Sequence, residues 1–204
     1  MMQQNNKLGF SLILLLTGLS LTGFHQNVLA QRSDEKAQRS GDNSRATAHL
    51  VKEIRHELLT LPWYGVFDWL EGNVGPDGQV SLRGWVVRPT TKSDAEARVK
   101  EIEGVSGLKS DIQVLPLSPN DDRIRRALYN TLFNGNSQLF HYALGANPSI
   151  HIIVNNGKVV LKGLVSSEAD RNYANIKARG VSGVFEVKNE LELESAQARK
   201  AERS

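Results

Sequence analysis

Two stretches decide how this chain folds: Val80-Ser-Leu82-Arg-Gly84-Trp-Val86 and Val159-Val-Leu161-Lys-Gly163-Leu-Val165. Each alternates apolar and polar residues and carries a glycine at the same place. Each precedes a helix-like segment and a glycine turn, Gly104-Val-Ser-Gly107-Leu108 in the first copy and Gly180-Val-Ser-Gly183-Val184 in the second. One small folding unit is used twice, and a repeat sets the architecture before any other feature. The strands repeat at a spacing of 79 positions, the glycine turns at 76 and the first helices at 70, so length changes fall in loops and helix ends.

Working outward, each unit opens with a one-sided helix. Leu50, Val51, Ile54, Leu58 and Leu61 recur at helical steps, as do Ile124, Leu128 and Leu132 behind Asn120-Asp121-Asp122, which supply capping and first-turn negative charge. A hairpin follows. In the second copy it runs Ile150-x-Ile152-x-Val154, Asn156-Gly157, Val159-x-Leu161, with Asn-Gly giving the positive φ of a tight turn. Gly75-Pro-Asp-Gly78 makes a looser turn in the first. Period-two alternation predicts one buried sheet face and one polar face carrying Ser81, Arg83, Lys158 and Lys162. A second helix follows, with Ser93-x-x-Glu96 and Ser167-x-x-Asp170 as capping boxes. Its predicted buried faces are Ala95, Val99 and Ile102, then Ala169, Tyr173 and Ile176. Ile112-x-Val114 and Leu191-x-Leu193 close the units. The expected fold is α+β: two tandem α-β-β-α-β units, each a small three-stranded mixed sheet with two helices on one face.

Residues 1–30 have the pattern of an export signal. Lys7 precedes an apolar run from Leu8 to Leu16, and Val28-Leu29-Ala30 ends in small or compact residues. Thr17, Ser20, Thr22 and His25 interrupt the run short of a membrane span, which needs about 20 apolar residues. The segment is expected to be cleaved after Ala30, with retention as an anchor the alternative. The chain has no cysteine. That excludes lipid attachment through a cysteine, disulfides, iron–sulfur clusters and thiol nucleophiles. Lys7 is the only charged residue before position 31. The remainder therefore holds 24 Lys+Arg and 22 Asp+Glu, a net +2 against +3 for the whole. Such a balance gives no reason to expect nucleic acid. The expected organisation is a signal peptide at 1–30, a polar disordered linker at 31–48, one domain at 49–115, a second at 120–194 and a disordered tail at 195–204. Pro116 and Pro119 stiffen the joint between the domains.

The order of elements, with a glycine ending the strand motif and a Gly-Val-x-Gly turn before the last strand, resembles the BON (bacterial OsmY and nodulation) domain. Val80, Leu82, Gly84, Val105, Gly107, Leu108, Ile112 and Val114 carry the likeness in the first copy. Val159, Leu161, Gly163, Val181, Gly183, Val184, Leu191 and Leu193 carry it in the second, which is the better match. The resemblance implies an exported, non-enzymatic module without cofactors, placed in the periplasm. It also implies binding to phospholipid membranes, in envelope maintenance or osmotic stress. A periplasmic protein–protein scaffold is the alternative.

Few residues invite chemistry. Gly84 and Gly163 mark a close approach, either by a ligand or, more often, by neighbouring backbone. Gly107 and Gly183 belong to helix-ending turns without a phosphate-loop pattern. His49, His56, His141 and His151 form no metal-ligand spacing, so neither a metal site nor a catalytic residue is expected. A cluster of histidine and carboxylates between the units is the arrangement that would reopen an enzyme reading. The aromatic residues are the stronger lead: Trp63, Tyr64, Phe67 and Trp69 in the first connection, Phe140 and Tyr142 in the second. At an exposed loop they suit a membrane interface, and under the sheet they would be core. Arg123, Arg125 and Arg126 are candidates for lipid phosphates, or a solvated helix face.

Overall fold

The computed structural model describes residues 43–75, 77–145 and 147–195. The expected signal segment, residues 31–42 of the expected linker and residues 196–204 lie outside them. Helix α1 covers residues 43–59, strand β1 Trp69–Val74, β2 Gln79–Val86, α2 Pro89–Glu101 and β3 Gly107–Val114. The second copy repeats the order with α3 Pro119–Phe133, β4 Ile150–Asn155, β5 Lys158–Val165, α4 Glu168–Arg179 and β6 Glu186–Leu193. A 3-10 turn, Phe140–Ala143, sits between α3 and β4. The fold is α+β, with two repeated units.

Each sheet has its middle strand in the centre, β1-β2-β3 and β4-β5-β6. The first pair is antiparallel and the second parallel in both copies. Registers repeat: Gln79 faces Gly107, and Lys158 faces Glu186. One face of each sheet packs under its two helices. Leu50, Ile54, Leu58, Val80, Leu82, Val86, Ala95, Val99 and Ile112 form one core. Ile124, Leu128, Leu132, Ile150, Ile152, Val154, Leu161, Val165, Ala174, Ala178 and Leu191 lie in the other.

Several local expectations change. Residues 43–48 are helical, so α1 starts six residues before the expected boundary at 49. Arg45, Ala46 and Ala48 favour helix, and lengthening a packed helix needs no new nucleus. Val51 is half exposed, off the buried stripe. Helix α2 begins at Pro89, whose fixed φ suits a first turn. Ser93 therefore lies inside the helix, its hydroxyl donating back to the carbonyls of Pro89 and Thr90, and it caps nothing. Ser167 caps α4 as expected. Helix α3 is capped by Ser118, two residues before the expected group. On α4 the buried face is Ala174 and Ala178, while Ile176 is 69% exposed and Ala169 is exposed. Two alanines four apart let α4 lie close to the sheet, which turns Ile176 outward.

Gly84 and Gly163 have φ of +141° and +116°. A Cβ at Gly84 would fall on the carbonyl oxygen of Trp69 in the adjacent strand, and one at Gly163 on that of Ser149, just before the adjacent strand. The close approach is therefore backbone on backbone, the second of the two readings.

Candidate binding surface and the joint between the copies

The connection from α1 to β1, residues 60–68, is locked by Asp68. Its buried carboxylate accepts from the amides of Gly65 at 3.0 Å and Val87 at 2.7 Å, tying the loop to the end of β2. Burial pushes the Asp68 pKa up, against those two amides and the charges of Arg88 and Arg125. Within this loop Trp63 takes a left-handed φ of 67°. Such a conformation costs a β-carbon residue about 1–3 kcal/mol and persists only where the surroundings impose it. The result is an indole 70% exposed, with the Arg88 guanidinium 4.7 Å over its ring.

The other aromatic candidates part company. Tyr64 is partly buried against the first core, where burial raises its pKa well above the ordinary range. Phe67 crosses over and packs on the second core, edge-on to Tyr129. Trp69 donates its indole N–H to Glu71 at 2.6 Å and meets the His151 ring. Tyr142 is core, its hydroxyl bonded with Ser166 and Asp170. Phe140 is 42% exposed and its neighbour Leu144 58%.

The basic group divides as well. Arg123 and Arg126 are exposed. Arg125 is buried, donating to the Val154 carbonyl at 2.7 Å and pairing with Asp122. It ties α3 to β4 and is unavailable to a lipid phosphate, so that expectation is corrected. An i,i+1 step on a helix turns neighbouring side chains to different faces, and Arg125 falls beside Ile124 and Leu128 on the buried side of α3 while Arg123 and Arg126 fall outside it.

Sheet direction brings the exposed groups to one end of each unit. β1 starts where β2 and β3 finish, since Trp69 faces Trp85 and Val86 faces Val114. Trp63, Arg88 and the 95%-exposed Leu117 border that end. Phe140 and Leu144 border the corresponding end of the second sheet, where β4 starts and β5 finishes. The first connection also adjoins strand β4 of the second copy. The Val66 carbonyl accepts from the amide of Ile152 at 2.7 Å, and His151 Nδ1 lies 3.2 Å from the Gly65 carbonyl.

The sheet faces without helices meet there, a feature the sequence reading missed. Those faces were expected to be polar. Instead Lys162 is only 15% exposed in its side chain. Its ammonium donates to Glu71 at 2.9 Å across the joint and to Glu190 at 2.6 Å beside it. It also lies within 6 Å of the rings of Trp69 and Trp85. Arg83 adds a second bond to Glu71 at 2.6 Å. Partial burial opposes ionisation of Glu71, but the hydrogen bonds from Trp69, Lys162 and Arg83 outweigh it and hold the carboxyl down at about 2. His151 is buried between Tyr64 and Trp69. Burial depresses its pKa, against the carbonyls of Asp68, Gly65 and Pro148. Ile153 is buried yet belongs to neither helix-side core. The run Ile152-Ile153-Val154, apolar at consecutive positions, was the available signal of a strand covered on both faces.

Histidine and carboxylates thus do approach one another between the copies, the arrangement that would have favoured an enzyme. They are consumed in packing and ion pairs. Among the described residues no cluster of three or more His, Asp and Glu is placed to hold a metal ion, and no helix is long and apolar enough to cross a membrane. A shallow cleft of about 380 Å³ lies elsewhere, lined by His49, Glu53, Glu57 and Arg98.

Two sheets of the same topology, each with helices on one face, define a tandem α+β module. The BON domain model matches residues 74–116 and 120–195, more than half of the chain. The chain belongs to the BON domain family and carries two copies. The first match begins at the last residue of β1, so the aromatic connection lies outside it. No curated protein matches the chain. Among solved structures, it is similar to CdsD, a structural protein of the type III secretion system of Chlamydia trachomatis. The identity is 15% over 76% of this chain and 99% of that one, with a TM-score of 0.29. A structure of the C-terminal domain of the same protein matches at 14% identity over 71% of this chain and 96% of that one, with a TM-score of 0.28.

Proposed function

We propose that this is a non-enzymatic, exported module of the cell envelope that contacts phospholipid surfaces, in envelope maintenance or under osmotic stress. The observation that carries the reading is Trp63, held outward by a left-handed backbone with Arg88 above its ring. An indole beside a guanidinium suits the boundary between headgroups and acyl chains, where one side is wet and the other apolar. Phe140 and Leu144, in the corresponding connection of the other copy, supply a second apolar point. Arg123 and Arg126 add exposed positive charge. The net charge of +3 is too small to drive binding alone, so affinity should depend on the aromatic groups. The periplasm is the compartment consistent with the apolar N-terminal segment and the absence of cysteine.

The test is co-sedimentation of residues 31–204 with vesicles of zwitterionic lipid and of the same lipid with added anionic lipid, at low salt. Binding that weakens for Trp63→Ala supports the reading. Absence of binding to both vesicle types removes it, and a protein partner captured by the same material would favour the scaffold alternative.

A further inference from the structure

The two helix-side cores are separate, and each sheet is hydrogen-bonded within its own copy. What joins the copies is narrower: Val66 and Phe67 packed on the second core, two contacts to loop carbonyls, and the facing set around His151, Lys162 and Glu71. Most of that set changes charge in acid. We propose that the joint is an acid-operated latch, in which protonation of His151 and Glu71 releases the helix-free faces and uncovers Trp69, Trp85 and Ile153 while both copies stay folded.

The geometry carries this as follows. His151 Nδ1 donates to the Gly65 carbonyl, so the neutral ring already satisfies the loop. A proton on the other nitrogen places a charge in a site that is 4% exposed. Tyr64 and Asp68 face it from the 60–68 connection, Trp69 from β1, and Lys162 is its cross-strand partner on β5. Lys162 is already positive, and Arg125 on α3 and Arg88 act on Asp68. Asp68 meets the ring through its backbone carbonyl, while its carboxylate is engaged by the amides of Gly65 and Val87. Among the described residues Glu71 is the carboxylate of the first copy that pairs with Lys162 across the joint. Protonating it leaves Lys162 with Glu190, which Lys188 also pairs within the second copy. The attraction between copies is thereby lost while each sheet keeps its own pairs.

The sign is consistent for both groups. A histidine whose folded pKa is depressed stabilises the docked state above its ordinary value of about 6.5, and that contribution is lost as pH falls below it. A carboxyl held down at about 2 contributes above its ordinary value of 4.5 and is lost as pH falls from there. Opening therefore starts below about pH 6.5 and is completed in the carboxylate range.

The chain has no cysteine, so Ser93→Cys on α2 and Ala169→Cys on α4 give one label in each copy of the full chain. Energy transfer between them and far-UV circular dichroism are followed from pH 7.5 down to about pH 2, through the range in which Glu71 is protonated. The expected result is a fall in transfer with unchanged dichroism, accompanied by a red shift of tryptophan emission in a Trp63→Phe background. His151→Gln should move the midpoint down by about one pH unit or more. Transfer that holds until the dichroism collapses overturns the latch, as does a His151→Gln midpoint equal to the wild type. If His151→Gln alters the neutral-pH dichroism, Lys162→Met tests the same joint. It should lower transfer at pH 7.5 to the acid value with dichroism intact, and unchanged transfer would refute the proposal.

Discussion

Replacing Gly84 by alanine probes the conformation on which the first copy's sheet depends. At φ +141° the added Cβ would overlap the Trp69 carbonyl oxygen of the paired strand. Two costs follow. A β-carbon residue in this region costs about 1–3 kcal/mol. Moving β1 away to make room forfeits at least one inter-strand hydrogen bond, worth about 0.5–1.5 kcal/mol. The sum is about 2–4 kcal/mol, a large part of the 5–15 kcal/mol typical of a domain. All three tryptophans, Trp63, Trp69 and Trp85, lie in the first copy, so urea unfolding followed by tryptophan emission reports on it directly. Gly135→Ala is the control: nothing lies within 4 Å of its added Cβ and its φ is not positive, so stability should change by no more than about 0.5–1 kcal/mol. If Gly84→Ala also left the transition within about 0.5 kcal/mol of the wild type, the backbone explanation would be wrong. The glycine would then have to serve a ligand's approach instead.

Other expectations concern single contacts. Asp121 is buried and accepts from the amides of Asn156 at 2.7 Å and Gly157 at 2.9 Å, bracing the second hairpin from α3. Asp121→Ala should cost about 2–3 kcal/mol in urea unfolding, because two amides lose a charged acceptor, and a loss below about 0.5 kcal/mol would contradict this role. Arg125→Ala should destabilise the second copy by about 2–4 kcal/mol without changing vesicle binding in material that remains folded, whereas a selective loss of binding would restore it to the lipid surface. Trp63→Ala should weaken vesicle binding about tenfold, the equivalent of about 1.5 kcal/mol for one large apolar side chain, and leave stability equal or improved. Glu71→Gln should flatten the acid limb of the stability curve between pH 4.5 and about 2, as read by thermal melts across that range, and an unchanged limb would place the acid sensitivity elsewhere.

The repeat, the helix stripes and the Asn156-Gly157 hairpin were legible in the chain itself. Each is a local pattern whose period reports burial on the near side of a helix or strand, and Ile124, Leu128 and Leu132 are buried where that period puts them. The candidate surface was legible only in part. Trp63 and Phe140 are exposed, but nothing in their spelling separates them from Tyr142, which is core. That difference comes from a backbone angle at Trp63 and from the hydroxyls that receive Tyr142. Ile176 was misplaced for a related reason. Two small alanines carry a weaker hydropathy signal than one isoleucine, yet they decide which side of α4 meets the sheet.

Alternation and paired motifs thus determined two small sheets under helices, because burial against a neighbouring element leaves a period in the residues that make it. The meeting of the helix-free faces was decided in three dimensions. Lys162 reads as a solvated lysine until Glu71, 91 positions earlier, arrives across from it. His151 likewise falls at the polar phase of its strand's alternation until the 60–68 connection closes over it. Charge records what a side chain is able to pair with, and only the packing of distant segments settles whether water or a carboxylate becomes the partner.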